Sequence, residues 1–216
     1  RTHNVGSLSV DNINFINKYN KAFIYKTMGL NDLLPTVLMT YHPTTLEFKL
    51  TLKEQINNIF YALNKFNFQL VVTLPNSDVG RDEITALIKK EVAKKKNYHY
   101  FKSLGFEMYH NLLKYCQFVI GNSSSGIIEV PYYKIATINI GNRQLGRIRH
   151  ASIIDTDYSK QSILKAIKKT FSSSFNKQLP KMRYKFGNGQ AANKILSILK
   201  KTNINQKLMT KNSNFI

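Results

Sequence analysis

Four segments of this chain, residues 36–41, 68–74, 116–120 and 135–140, are apolar almost throughout and only five to seven residues long. Short runs rich in Val, Ile and Leu are the pattern of strands buried on both faces, and such strands pair in parallel because helices must cover both sides. An aromatic run at 98–101 adds a shorter strand. Between the runs lie segments with helical spacing. One starts from a cap at Thr44 or Thr45 and carries Leu46, Leu50, Ile56, Ile59, Phe60 and Leu63. Others span 82–95 and 105–115, the second with Phe106, Tyr109, Leu112 and Leu113 turned inward. Residues 11–17, 159–171 and 189–201 also read as helices, and residues 127–130 as a helical start. Five or six buried strands alternating with helices predict an α/β fold with a Rossmann-like, doubly wound parallel sheet.

That architecture directs the search for a site. In doubly wound sheets ligands bind beyond the carboxyl ends of the strands. His42, Asn76, the loop before Gly105, the Ser123–Ser125 turn and Arg143 each directly follow a strand. All five are therefore expected on one edge of the sheet.

Length and composition narrow the classes. The chain has 216 residues and is 43% hydrophobic, enough for one domain with a real core. One domain is expected over 1–202, followed by a polar tail at 203–216. A lone cysteine, Cys116, excludes an intrachain disulfide and a Cys-based zinc site, and fits a reducing, cytoplasmic setting. No histidine pair has metal-ligand spacing, so no metal is expected. No run reaches the ~18 apolar residues of a membrane helix. The opening Arg-Thr-His-Asn lacks Met, which suggests a piece or a processed chain.

Charge invites a nucleic-acid reading: Lys and Arg number 32 against 12 acids, a formal net charge of +20. Only six of the 32 are Arg, however, and base readers and phosphate clamps favour Arg. The lysines are spread along the chain at solvent-side helical spacing. With the abundance of Asn, Ile and Tyr and the absence of Trp, they fit a compositional bias rather than a footprint. No specific nucleic-acid partner is expected.

The sharpest motif is Gly121-Asn-Ser-Ser-Ser-Gly126 between a strand and a helical start. Small residues admit close backbone approach, Ser hydroxyls donate, and a helix N-terminus suits phosphate. An N-capped helix after a tight turn would look the same. The motif is neither a Walker A loop nor the dinucleotide glycine fingerprint. Glu129, four residues after Ser125, is able to accept the two vicinal hydroxyls of a ribose, or simply to face the helix dipole. Arg143, Arg147 and Arg149 are half of the chain's arginines, concentrated after the 135–140 strand, where fork geometry suits phosphate oxygens. His42, at a strand end before Pro43, is a candidate general acid or phosphate donor. His3, His99, His110 and His150 have no such context. Ser123 has no evident His/Asp relay, so a serine-hydrolase triad is weakly supported.

Six segments in order resemble one family: His42-Pro-Thr-Thr, Pro75-Asn-Ser-Asp-Val-Gly80, Phe101-Lys-Ser-Leu-Gly105, Gly121-Asn-Ser-Ser-Ser-Gly-Ile-Ile-Glu129, Ile138-Asn-Ile-Gly-Asn-Arg-Gln144 and Phe186-Gly-Asn-Gly189. Together they look like the UDP-N-acetylglucosamine 2-epimerases, in the hydrolysing branch that makes N-acetylmannosamine for sialic acid synthesis. The resemblance covers about residues 4–201 and implies the second domain of a GT-B fold. The first domain, outside this sequence, would supply acidic acid/base groups, and the helix at 189–201 would pack toward it.

Carried over, the resemblance implies that Ser123 and Ser124 hold the diphosphate and Glu129 the ribose. The backbone near Leu104 would contact uracil, and Asn76 and Arg143 would line the nucleotide pocket. His42 would face the pyrophosphate and sugar as this domain's catalytic residue. The implied partners are UDP, a UDP-N-acetylhexosamine, the N-terminal domain and further copies in a homo-oligomer; no cofactor is needed. Tyr132-Tyr-Lys-Ile-Ala136 departs from the family pattern, where this segment is usually smaller and carries Pro. The competing readings are half of a GT-B glycosyltransferase using the same pocket, or a non-catalytic basic module that binds nucleic acid.

Overall fold

A computed structural model describes residues 2–44, 50–75, 79–205 and 210. In chain order the helices and strands are α1 (Leu8–Ile13), α2 (Lys21–Met28), β1 (Thr36–Thr40), α3 (Leu52–Leu63), β2 (Gln69–Thr73), α4 (Arg81–Val92), β3 (Tyr98–Phe101), α5 (Gly105–Leu113), β4 (Cys116–Gly121), α6 (Ser125–Ile128), β5 (Ala136–Ile140), β6 (Ile153–Thr156), α7 (Lys160–Thr170), α8 (Ser173–Gln178) and α9 (Ala191–Lys201). A 3-10 turn, Val130–Tyr133, follows α6. The chain divides into two compact units, one of residues 16–184 and one of residues 1–15 with 185–216.

In the larger unit the strands form one sheet in the order β3-β2-β1-β4-β5-β6, every neighbouring pair parallel. This is the doubly wound α/β arrangement expected from the apolar runs. Period-two alternation splits each strand between two cores. Val37, Met39, Leu70, Val72, Phe118 and Ile120 pack under α3, α4 and α7. Leu38, Val71 and Val119 pack under α2 and α5. All of these strand residues are essentially buried, so the runs read as uninterrupted. Polar strand residues are paired: Gln69 Nε2 donates to Thr36 Oγ1 at 2.8 Å, and Tyr25 Oη lies 2.6 Å from the same oxygen.

The helix after β1 begins later than expected. Its cap is Thr51, whose Oγ1 accepts the Glu54 N–H at 3.2 Å while Glu54 Oε2 accepts the Thr51 N–H at 2.8 Å, a reciprocal capping box. Thr44 caps nothing helical; Thr45 and Leu46 lie outside the described residues. The first helix spans Leu8–Ile13 rather than 11–17. Three elements, α2, α8 and β6, come in addition to those expected.

In the smaller unit, the buried Asp11 carboxylate of α1 accepts the N–H groups of Ala191 and Ala192, at 3.0 and 2.7 Å. It thereby caps α9 across the sequence. α9 leaves Leu196 half exposed and Leu199 65% exposed, so its apolar side is uncovered within this unit. Among the described residues no helix is long and apolar enough to cross a membrane.

Candidate functional site

The strand order reverses between β1 and β4, the first strand and the fourth lying side by side. At such a switch point adjacent loops diverge to opposite faces and open a crevice beyond the carboxyl edge. His42 leaves β1 there and Asn122 leaves β4. The strands approach so closely that a Cβ on Gly121 (φ +141°) would stand 1.9 Å from the Thr40 carbonyl oxygen, which is why only glycine ends β4.

A cavity of about 210 Å³ opens at this edge. Its walls include His42, Leu104, Ser123, Ser125 and Glu129, with Lys102, Tyr109 and His110 from the β3–α5 region. His42, Leu104, Ser123 and Glu129, four of the sequence candidates, thus share one cavity. Ser124 belongs to the same turn, at the N-cap position of α6, but is not part of the wall. Asn76 lies outside the described residues. Arg143, exposed at the rim of the β5 loop, donates from Nη1 to the Asn122 carbonyl oxygen at 3.2 Å and does not line the cavity.

Asn122 organises the crossing. Its Oδ1 accepts the His42 N–H at 2.7 Å and its Nδ2 donates to the His42 carbonyl at 2.8 Å. Its own carbonyl accepts from Gln144 Nε2 at 2.8 Å as well as from Arg143. The other two arginines of the cluster divide. Arg149 pairs with Asp155 at 2.9 Å and donates to the Gln144 and Arg147 carbonyls, so it braces the loop. Arg147 is exposed.

The helix after the serine turn is a single turn, Ser125–Ile128, before the 3-10 segment. Few aligned peptides contribute to its dipole, so the anion-attracting end is weaker than that of a full helix. Glu129 stands at the junction, as C-cap of α6 and N-cap of the 3-10 turn. Its Oε2 accepts the Ser125 hydroxyl at 2.7 Å, and Ser125 Oγ lies 2.5 Å from Tyr109 Oη.

His110, set aside in the sequence, is fully buried, with Nε2 3.7 Å from Glu129 Oε2 and Nδ1 3.0 Å from Tyr133 Oη. Burial, helped by Lys114, pushes its pKa down to about 4, so the ring is neutral at pH 7. The Tyr132–Tyr133 departure is accommodated: Tyr132 meets Tyr184 edge-on and Tyr133 braces His110. The sequence candidates do not include Asn122, Lys102, Tyr109, His110 or Gln144. Of these, Lys102, Asn122 and Gln144 lie inside the six family-like segments and carry a readable signal; Tyr109 and His110 do not. Among the described residues no group of three His, Cys, Asp or Glu is placed to hold a metal ion.

The cavity offers hydroxyl donors, a carboxylate, an imidazole and a cationic Lys102 around one opening. That set suits a polyhydroxylated anionic ligand. The sequence profile of a family described as UDP-N-acetylglucosamine 2-epimerase matches residues 1–200. The chain is 36% identical over 166 residues to the polysialic acid biosynthesis protein P7 of Escherichia coli, covering 76% of this chain and 42% of that protein. It is 38% identical over 161 residues to the hydrolysing GDP/UDP-N,N'-diacetylbacillosamine 2-epimerase of Campylobacter jejuni, covering 73% of this chain and 41% of that protein. The chain thus spans less than half the length of these relatives. A crystal structure of the UDP-GlcNAc 2-epimerase of Neisseria meningitidis bound to UDP-GlcNAc matches 92% of this chain and 55% of that one with a TM-score of 0.76; at 13% identity it shows a common fold.

Proposed function

Because the chain belongs to the UDP-N-acetylglucosamine 2-epimerase family, we propose that its switch-point cavity binds the UDP moiety of a UDP-N-acetylhexosamine and that the chain is the nucleotide-binding half of a hydrolysing 2-epimerase. The observation that carries the reading is the meeting of His42, from the β1 loop, with Ser123, from the β4 loop, and Glu129, from the end of α6, in one cavity. Ser123 and Ser124 hold the diphosphate, assisted by Lys102, and Glu129 accepts the ribose hydroxyls. The backbone at Leu104 contacts the uracil. Asn76 and, from the rim outside the cavity wall, Arg143 are assigned to the nucleotide as well. His42 faces the pyrophosphate–sugar bond.

In the proposed reaction, UDP-N-acetylglucosamine and water give N-acetylmannosamine and UDP. A proton leaves C2, the C1–oxygen bond to UDP breaks, and its electron pair departs with the diphosphate. Water then adds its oxygen to C1 while a proton returns to C2 on the opposite face. Charge develops on the leaving diphosphate, so donors fixed around it lower the barrier. Protonation of that leaving group is assigned to His42. The C2 proton needs a second acid/base group, which we assign to the N-terminal domain. The uncovered Leu196 and Leu199 of α9 support docking of this helix on that domain. A homo-oligomer in the cytoplasm, where nucleotide sugars are made, completes the proposal.

Titration of the chain with UDP, followed by amide NMR, tests the nucleotide site. Shifts clustered at Ser123, Glu129 and Leu104 at millimolar UDP are expected. Shifts elsewhere, or none, would overturn it. Salt-dependent retention on DNA without UDP binding would favour the basic-module reading instead.

A further inference from the structure

The two carboxylate oxygens of Glu129 are not equivalent. Oε2 accepts the Ser125 hydroxyl at 2.7 Å. A serine hydroxyl has one proton, and here it points at Glu129. The 2.5 Å contact between Ser125 Oγ and Tyr109 Oη must therefore be donated by the tyrosine. Burial, with Glu129 nearby, pushes the Tyr109 phenol up, so it keeps its proton across the ordinary pH range. The result is a one-way chain of donors, from Tyr109 to Ser125 to Glu129 Oε2.

His110 also stands near the same oxygen. Its Nε2 is 3.7 Å away, too far for a hydrogen bond, and has no hydrogen-bond partner among the described residues. The ring is caged: Phe106 lies 4.2 Å from it centroid to centroid, Tyr109 meets it edge-on at 5.3 Å, and Tyr133 holds Nδ1. A neutral imidazole beside a carboxylate favours the tautomer with its proton on Nε2, leaving Nδ1 to accept from Tyr133. Oε2 thus has two donors near it, the Ser125 hydroxyl at 2.7 Å and His110 Nε2 at 3.7 Å. Oε1 makes no hydrogen bond among the described residues, and the Glu129 side chain keeps 22% of its surface exposed toward the cavity.

We propose that Tyr109 and Ser125 are positioning residues that fix Glu129 through Oε2, leaving Oε1 alone to read the sugar hydroxyls of the nucleotide and so to select ribo- over 2′-deoxyribonucleotides. The proposal rests on the nucleotide reading above and sharpens it: the carboxylate grips through one oxygen, not as a two-oxygen clasp on vicinal hydroxyls. A carboxylate free to rotate would lose both the acceptor geometry and the discrimination. Ser125 acts here through Glu129 and does not itself touch the ligand, unlike Ser123.

The test is calorimetric titration of the chain with UDP and with 2′-deoxy-UDP. A hydrogen bond to a charged acceptor predicts that the unmodified chain binds UDP roughly 10–100-fold more tightly than 2′-deoxy-UDP. Ser125→Ala should weaken UDP binding and compress that ratio to within about threefold. Tyr109→Phe, which leaves the serine hydroxyl but removes its donor, should compress the ratio partway. A purely structural role would weaken both nucleotides together, so an unchanged ratio in Ser125→Ala overturns the proposal. If the unmodified chain binds neither nucleotide, the nucleotide reading falls, and the relay is then judged without ligand. With 13C-labelled tyrosine, the Tyr109 Cζ resonance should move in Ser125→Ala, because the phenol loses its acceptor. An unmoved resonance would overturn the relay itself.

Discussion

Asn122 satisfies both backbone polar groups of His42, accepting its N–H at 2.7 Å and donating to its carbonyl at 2.8 Å, although the residues lie 80 positions apart. The amide is fully buried. It acts as a short piece of sheet continued past the end of β1, so the position of His42 depends on the β4 turn. Asn122→Ala should remove both of these buried hydrogen bonds, at a cost of about 2–4 kcal/mol. Urea denaturation would measure it. A loss below about 1 kcal/mol would mean that water or a neighbouring group replaces the amide.

Activity should require more than this chain. Of the acid/base groups on the cavity, His110 and Tyr109 are packed around Glu129, Lys102 is assigned to the diphosphate and Glu129 to ribose, which leaves His42. One histidine does not serve both the leaving group and the C2 proton. The chain alone is expected to release no N-acetylmannosamine from UDP-N-acetylglucosamine. Fusion of a family N-terminal domain ahead of Arg1 should restore turnover. In the fusion, His42→Ala should lower kcat by roughly 10²–10⁴, the range for a positioned acid/base group. Turnover by the lone chain would refute the half-enzyme reading, and an unchanged rate in His42→Ala would remove His42 from the chemistry.

Stability should fall in mild acid because of His110. In the folded chain it stays neutral down to about pH 4, whereas its ordinary pKa is 6.5. Between these values the unfolded chain binds the extra proton, so stability is intact above about pH 6.5 and is lost as pH drops toward 4. The loss is on the order of 2–3 kcal/mol. Urea midpoints compared at pH 7 and pH 4.5 should converge for His110→Gln relative to the unmodified chain. Parallel pH dependence in the two proteins would show that another group is responsible.

Cys116 should be inert in the native state. It is 6% exposed, its Sγ donates to the Leu112 carbonyl at 3.4 Å, and burial pushes the thiol up. The thiolate is the reactive form. A chromogenic disulfide reagent at pH 8 should label the denatured chain at once and the native chain only as slowly as it opens. Rapid native labelling would contradict the burial.

The β1, β2, β4 and β5 strands were legible because each is covered on both faces, which leaves an apolar run with few interruptions. β6 is an edge strand, and Ile153-Ile-Asp-Thr156 is only partly buried, so no such run marks it. α2 was missed although its punctuation was present: Asn20 accepts the Phe23 N–H at 2.8 Å, and Gly29 closes the helix at φ +67°. The Thr51–Glu54 capping box was likewise readable and was overridden by the earlier threonines. His110 was not readable at all. Its significance comes from Glu129, nineteen residues later on another element, and only the packing of α5 against the β4 turn brings them together.

The cap on α9 sets an order of events. Its first two N–H groups are answered by Asp11, some 180 residues earlier in the chain. During synthesis the ribosome delivers all six strands before Ala191 emerges, so the sheet has every strand it needs while α1 still waits for its counterpart. The pairing of α1 with α9 is therefore completed only after the last strand has emerged, and a nascent chain cut short before Ala191 would leave Asp11 with no helix to cap.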